Sequence, residues 1–369
     1  MRTLVTGGAG FIGSHLVPRL LEHGDDVIVL DSLEEQVHDG KVYEPPEGVK
    51  FVQGSVGDEQ ALDTTLDRID RVVHLAAAVG VGQSMYEIAR YVDVNTLATA
   101  RFLERLVKMP RRPSRLVVAS SMSIYGEGEY ECAVHGPSAP PPRPESQLAD
   151  RRWECLCPRC GLELTPVATR EAKPLIPTSV YAITKRDHEE LCLVTGAAYG
   201  ISSLALRFFN VYGSGQALSN PYTGVAAIFS SRLLNDRPPL VFEDGLQSRD
   251  FIHVEDIASG ILRALEAEEV LGRAVNLGTG RSVTINDVAT LLSAQLEKGI
   301  EPLYPQQYRA GDVRHCFANV ELARELLGWQ ATARLEDGVG ELVRWVQSQT
   351  AADHVDVATQ ELAARGLAR

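Results

Sequence analysis

The sequence predicts an α/β protein built on a doubly wound parallel sheet, with a smaller C-terminal lobe and a cysteine-containing insertion. Three observations carry this. Short apolar runs recur at helix-length intervals, the first of them runs straight into a glycine turn, and a proline-rich segment interrupts the pattern in mid-chain. Strands alternating with helices form a parallel sheet covered on both faces, with ligands at the carboxyl ends of the strands.

The first unit spans residues 3 to 31. Leu4-Val5 is an apolar strand, and Thr6 to Gly13 holds both Gly7-x-x-Gly10-x-x-Gly13 and Gly8-x-Gly10-x-x-Gly13. A helix follows, with Leu16, Leu20 and Leu21 on one side. Such glycines allow a tight turn and let a pyrophosphate approach the N–H groups that open the helix at Phe11 and Ile12. The second strand, Val27 to Leu30, ends in Asp31, placed to accept hydrogen bonds from an adenosine ribose. A carboxylate there repels a 2′-phosphate, and no arginine stands in Ser32-Leu33, so NAD is expected rather than NADP.

Further strands are predicted at Lys50-Phe51-Val52, Arg71 to Leu75, Arg115 to Ala119 and Ser203 to Leu206. Ala76-Ala77 and Ser120-Ser121 lie at strand ends, and Asn95 lies in the helix between. Ser179 to Lys185 leads a helix on which Tyr181 and Lys185, four residues apart, share a face. An ammonium beside a phenol favours the phenolate, a base usable near neutral pH.

Between Tyr130 and Thr178 the pattern gives way to a polar segment containing Pro140-Pro141-Pro142 and Pro144. Cys132-x-x-His135 and Cys157-x-x-Cys160 have the paired-knuckle spacing of a tetrahedral structural zinc site, which would order a segment too short to bury a core of its own. Cys155 competes as a ligand, and unligated thiols in a loop are the alternative reading. Beyond Gly213 come the loop Ser219 to Gly224, helices near 225–235, 285–297 and 337–347, and, from about 350, a polar, partly helical tail with no assignable chemistry. Arg249 and Arg309 suit an anionic ligand, because guanidinium forks match diphosphate oxygens.

Composition sets outer limits. The 369 residues are 44% hydrophobic, enough for a substantial core, and no apolar run approaches membrane-spanning length. A net charge of −13 argues against nucleic acid as a partner. Six cysteines and no signal-peptide pattern at the start fit a reducing cytoplasm.

Taken together the motifs resemble the extended short-chain dehydrogenase/reductase superfamily, and within it the NAD-dependent nucleotide-sugar epimerases and dehydratases, over roughly residues 1 to 345. They are the glycine turn, His74-Leu75-Ala76-Ala77, Asp93-Val94-Asn95, Ser120 to Gly126, Tyr181 with Lys185, Arg207 to Gly213, Arg249 to Val254 and Arg309 to Val313. The resemblance implies a Rossmann domain at 1–130 and 173–212, divided by the insertion at 131–172. A substrate-binding lobe at 213–348, with a return to the Rossmann sheet near 249–265, and a tail at 349–369 complete the chain.

The resemblance makes Tyr181, Lys185 and Ser121 the catalytic group. Gly7, Gly10, Phe11, Ile12, Gly13, Asp31, Val56, Asp58, Leu75, Ala76, Ala77 and Asn95 would hold NAD together with Tyr181 and Lys185. Ser121, Met122, Ser123, Asn210, Asn220, Arg249 and Arg309 would meet a nucleotide-diphosphate sugar. Ser55 departs from the family, which usually has Asp there for the adenine amine, so Asp58 or the backbone must serve.

Dehydratases of this family carry an Asp-Glu pair where this chain has Met122 and Ser123, and uronate decarboxylases keep Glu in place of Ser123. That leaves 4-epimerisation, by oxidation at C4 and hydride return. With Ala78 to Tyr86, Asn220 to Gly224 and the cysteine insertion included, the pattern resembles dTDP-L-rhamnose 4-epimerases. A UDP-sugar 4-epimerase and a decarboxylase, dehydratase or reductase of the same family are the alternatives, and a non-catalytic NAD sensor or scaffold is the rival from another class. The family also implies a homodimer, with Leu97, Phe102, Leu103, Leu106, Leu191, Leu193 and Val194 pairing as a four-helix bundle.

Overall fold

The computed structural model describes every residue except 39, 41, 221, 223, 269–271 and 350–352, so Pro221 and Thr223 of the expected 219–224 loop lie outside the described residues. Among those described, the main sheet has seven strands: β1 (Arg2–Thr6), β2 (Asp26–Asp31), β3 (Lys50–Gln53), β4 (Arg71–His74), β5 (Arg115–Ser121), β6 (Ser202–Phe208) and β7 (Arg273–Leu277). Their order is β7-β6-β5-β4-β1-β2-β3, all parallel, with Val5 opposite both Val29 and Val73. The order reverses beside β1, the point at which open parallel sheets hold their ligands, at the carboxyl ends of the strands.

Central strands buried on both faces explain the continuous apolar runs. On one face α1 (Phe11–Glu22) brings Leu16, Val17 and Leu20 against the sheet. On the other, α2 (Ala98–Lys108) and α3 (Val180–Tyr199) bring Phe102, Leu103, Leu106 and Cys192 against Leu4, Ile28, Leu116 and Val118. This corrects the bundle expectation: Phe102, Leu103 and Leu106 are buried in their own core, and Leu191 and Leu193 pack beside it. The large apolar residues these helices and the turn before α2 leave exposed include Val92, Val94, Leu97, Ile183, Val194 and Tyr199.

The insertion folds as a three-stranded sheet of Glu129–Cys132, Gly136–Ser138 and Thr165–Val167, over a small core of Tyr130, Cys132, Cys155, Cys157 and Leu164. The C-terminal lobe packs the helices Val225–Leu234, Ile285–Gln295 and Leu335–Gln347 around Phe229, Leu233, Val288, Leu292 and Leu342. The tail is not a bystander. Helix Val355–Ala364 places Asp356 against Arg232 and Arg237, and Tyr308 and Arg369 exchange backbone hydrogen bonds of 2.8 and 3.0 Å. Among the described residues no helix is long and apolar enough to cross a membrane.

Candidate active site

At the first turn the glycines do different work. Gly7 has φ +69°, and a Cβ there would lie 2.7 Å from the backbone nitrogen of Ala76, so the turn and the Leu75-Ala76-Ala77 segment approach with no room for a side chain. Gly13 lies inside α1, where a Cβ would come within 2.4 Å of the Gly8 carbonyl oxygen. Asp31 accepts from Ala9 N at 3.0 Å and from Leu33 N at 2.9 Å, fixing its carboxylate at the end of β2. Val56 is buried in the core with Leu4, Ile28 and Leu30. Asp58 is an N-cap: one carboxylate oxygen accepts from Gln60 N and Ala61 N at 2.8 and 3.2 Å, a structural role that the sequence reading did not assign.

Asn95 sits on a single π-helical turn, Val92–Leu97, that runs into α2. Buried there, it accepts from Ala78 N at 2.7 Å and donates to Ala78 O at 3.1 Å and Thr184 Oγ1 at 3.0 Å. One amide thereby ties the loop after β4 to α3.

Helix α3 starts where Ser179 Oγ accepts from Ala182 N and ends at Gly200 in the left-handed region. Its first turn presents Tyr181, whose N–H donates to Ser84 Oγ at 2.9 Å. Ser84 was not singled out by the sequence. Burial pushes the Tyr181 phenol up, and a hydrogen bond with Ser121, at the end of β5, partly offsets that. Ser121 Oγ also accepts from Ser123 N and Ser123 Oγ at 3.2 and 3.0 Å, so the two hydroxyls and the phenol converge. Met122 packs against the core.

Lys185 is buried one turn further on. Its ammonium donates to Ala119 O and lies 3.0 Å from His188 Nδ1. Burial pulls its pKa down to about 8. His188 stacks edge-on against His74, whose pKa burial lowers to about 3 and whose ring is held by Thr6 Oγ1 at 2.6 Å and Thr99 Oγ1 at 3.1 Å. The expected pairing is therefore corrected. Lys185 is engaged by a carbonyl and an imidazole, and burial leaves the phenol raised, not lowered.

The arginines meet elsewhere, at the loop 309–315, which carries Arg309 and which Arg249 reaches from the short strand Ser248–Arg249. Thr178 Oγ1 donates to Gly311 O at 2.8 Å, docking that loop three residues ahead of Tyr181. Arg309 donates from Nε and Nη2 to Asp312 Oδ2 at 3.1 and 2.8 Å, with its guanidinium 4.7 Å over the Phe242 ring. Arg249 behaves differently. Nη1 donates to the carbonyls of Ser248 and Arg314, and Nη2 to Val313 O and, at 3.4 Å, to Asp312. It holds the loop in place. Burial raises Asp312, but Arg309 and Arg249 outweigh that and keep its carboxyl below the usual range.

Asn210 begins a short strand beside Phe251–His253, and its Oδ1 is buried without a partner among the described residues. Asn220 joins a different group: its Oδ1 accepts from Gln36 Nε2 at 3.2 Å and from Tyr222 N at 3.0 Å, away from the arginine loop's own hydrogen bonds. The hydroxyls of Tyr86 and Tyr222 lie 2.6 Å apart and both donate to Glu361 of the tail helix, a junction no sequence pattern announced.

In the insertion, the ligand atoms of Cys132, His135, Cys157 and Cys160 all lie within 4.8 Å of one another. Cys155 stands apart, donating to Tyr130 Oη at 3.4 Å, which removes it as a competing ligand.

Residues 3–147 and 162–278 match the NAD dependent epimerase/dehydratase family. The chain is 33% identical over 353 residues to a dTDP-L-rhamnose 4-epimerase of Burkholderia thailandensis, covering 94% of this chain and 95% of that protein. It is also similar to the UDP-glucose 4-epimerase of Thermotoga maritima solved with UDP-glucose, with 30% identity, a TM-score of 0.76 and coverage of 94% and 99%. UDP-glucuronic acid 4-epimerase from Bacillus cereus, solved with UDP-glucuronic acid and NAD, gives 26% identity, a TM-score of 0.76 and coverage of 94% and 99%.

Proposed function

The chain belongs to the NAD dependent epimerase/dehydratase family, and from that premise we propose that it is a nucleotide-sugar 4-epimerase that uses NAD and acts on a dTDP-6-deoxyhexose such as dTDP-L-rhamnose. The observation that carries the reaction type is the convergence of Tyr181, Ser121 and Ser123, with no carboxylate at 122 or 123 to work at C5 or C6. The substrate reading rests on the similarity to the dTDP-L-rhamnose enzyme. A UDP-sugar is the second reading, favoured by the solved relatives that hold one.

Gly7, Gly10, Phe11, Ile12, Gly13 and Asp31 would hold the dinucleotide, with Val56, Leu75, Ala76, Ala77 and Asn95 beside it and the adenine met by backbone near Asp58. When bound, NAD supplies the acceptor and donor of hydride at sugar C4, and a positive charge beside the phenol. Burial raises Tyr181, so the phenol would give up its proton more readily with a positive charge beside it. Tyr181 takes the proton of the 4-hydroxyl, Ser121 hydrogen-bonds the same oxygen as it becomes a ketone, and Lys185 orients the cofactor ribose. The ketone turns its other face, Tyr181 returns the proton, and no external reductant is consumed. Arg309 grips the diphosphate, Arg249 holds the loop that presents it, and Asn210 offers an amide whose assignment can turn to donate.

The insertion would carry one structural zinc at Cys132, His135, Cys157 and Cys160, and a reducing cytoplasm would keep its thiols available. A homodimer would form through the exposed Val94, Leu97, Ile183 and Val194.

The test is incubation of the purified protein with dTDP-L-rhamnose, UDP-glucose and UDP-glucuronic acid, with products read by NMR. Interconversion at C4 without added NADH is expected, and Tyr181→Phe should abolish it while still binding the nucleotide sugar. Near-normal epimerisation by Tyr181→Phe, or carbon dioxide or a dehydrated sugar as the product, refutes the reading.

A further inference from the structure

We infer that the metal-held insertion is a positioning element for the nucleotide-diphosphate site: through a buried charge network it sets the loop that presents Arg309. This rests on the zinc reading and extends it from local order to ligand binding.

Three edges of the cluster match those of a tetrahedral zinc site. Cys132 Sγ lies 3.6 Å from His135 Nδ1 and 3.7 Å from Cys160 Sγ, and Cys157 Sγ lies 3.5 Å from His135 Nδ1. A tetrahedral zinc with bonds of about 2.3 Å to sulfur and about 2.0 Å to nitrogen would put sulfurs about 3.8 Å apart and sulfur and nitrogen about 3.5 Å apart. A disulfide would need about 2.05 Å between sulfurs. Two turns supply the ligands. One ends in Gly136 at φ +70°, and in the other Gly161, at φ +72°, donates to Cys157 O. Each knuckle leaves one ligand buried and one exposed.

From the knuckles the contacts run inward. Tyr130, two residues before Cys132, donates to Glu127 at 2.7 Å and accepts from His315 N at 3.2 Å. Glu154, three residues before Cys157, accepts from Arg314 Nε and from His315 Nε2, each at 3.0 Å. Arg143, also from the insertion, donates to Asp312 O and to Glu243, each at 3.0 Å. Arg314 is fully buried, and its charge is balanced by Glu154, Glu243 and Asp244.

Directly, or through Glu127 and Glu243, these grips reach Asp312 to His315, the segment that follows Arg309 and whose carbonyls at Val313 and Arg314 are held by Arg249. A buried guanidinium that loses a carboxylate partner is costly to leave in place. Releasing the knuckles frees Glu154 and Arg143, so the loop must shift to rehydrate Arg314. The glycine turn takes part in none of these contacts and should keep its cofactor.

The experiment uses the full chain as purified. Zinc is measured by mass spectrometry, and the affinities for dTDP, UDP and NAD are measured by calorimetry, so the result does not depend on turnover. We expect one zinc per chain. Cys160→Ser should lose it and bind the tighter of the two nucleotides about tenfold more weakly, a difference of about 1.4 kcal/mol, with NAD affinity unchanged. Glu154→Gln should keep its zinc and show the same selective weakening, so the inference stays open to refutation even if Cys160→Ser fails to fold. Protein without zinc overturns the metal reading. Zinc-loaded wild type with nucleotide affinity unchanged in Glu154→Gln overturns the coupling and leaves the metal reading standing.

Discussion

Replacing Lys185 with methionine should make the cofactor-free protein more stable at pH 7. The ammonium is buried, and its pKa falls from the ordinary 10.5 to about 8. At 1.36 kcal/mol for each tenfold change in proton affinity, that difference is a cost of about 3 kcal/mol to the folded state whenever Lys185 is charged. Methionine removes the cost but loses the hydrogen bonds to Ala119 O and His188, about 1–2 kcal/mol together. A net gain of about 1–2 kcal/mol remains. The pH dependence identifies its origin. Between about pH 8 and 10.5 the unfolded chain still binds a proton that folded Lys185 has released, so wild-type stability rises with pH across that window. The variant has no such group. Its advantage should shrink through the window and reverse above it. Urea unfolding of both proteins at pH 7 and above 10.5 reads this directly. A variant less stable than wild type at pH 7, or a stability difference that does not move with pH, would refute the reasoning. Turnover should be lost as well.

Other outcomes follow from the geometry. Gly13→Ala places a Cβ 2.4 Å from the Gly8 carbonyl oxygen, backbone against backbone, and should destabilise the fold by about 1–3 kcal/mol and weaken NAD binding; urea unfolding and cofactor titration that both match wild type would count against it. Arg309→Ala should raise KM for the nucleotide sugar and leave kcat within a few-fold, and a fall in kcat at constant KM would show that the arginine acts on the chemistry instead. Light scattering at micromolar concentration should return a dimer mass, and Val194→Asp should shift it toward monomer; a wild-type monomer rejects the interface.

Much of the Rossmann half was legible because its signals are local. A glycine turn between an apolar strand and a periodic helix is written in consecutive residues, as is a serine that caps α3 just ahead of Tyr181. The strand β7 escaped notice because Arg273-Ala-Val-Asn-Leu277 carries a buried polar residue: Asn276 accepts from Tyr125 Oη at 2.7 Å and donates to two backbone carbonyls. Apolar spacing on α2 could not tell a helix that packs on its own sheet from one that meets a second copy. The division of labour between Arg249 and Arg309 was equally hidden, since a guanidinium that donates to carbonyls 64 and 65 residues away looks, in sequence, like one that waits for a ligand. The Tyr86, Tyr222 and Glu361 junction joins three distant segments by single side chains, which leaves no periodic trace.

Asp312 gives the arginine loop the character of an ion exchanger. Arg309 already holds a carboxylate, so under the proposed function an incoming diphosphate would displace a resident anion, and the energy released would be the difference between two salt bridges. Loose inorganic phosphate or pyrophosphate gains little from such a swap. A ligand that also brings a base and a sugar would gain the rest of its binding energy from those ends, so the loop would discriminate for the whole molecule and stay neutralised between turnovers.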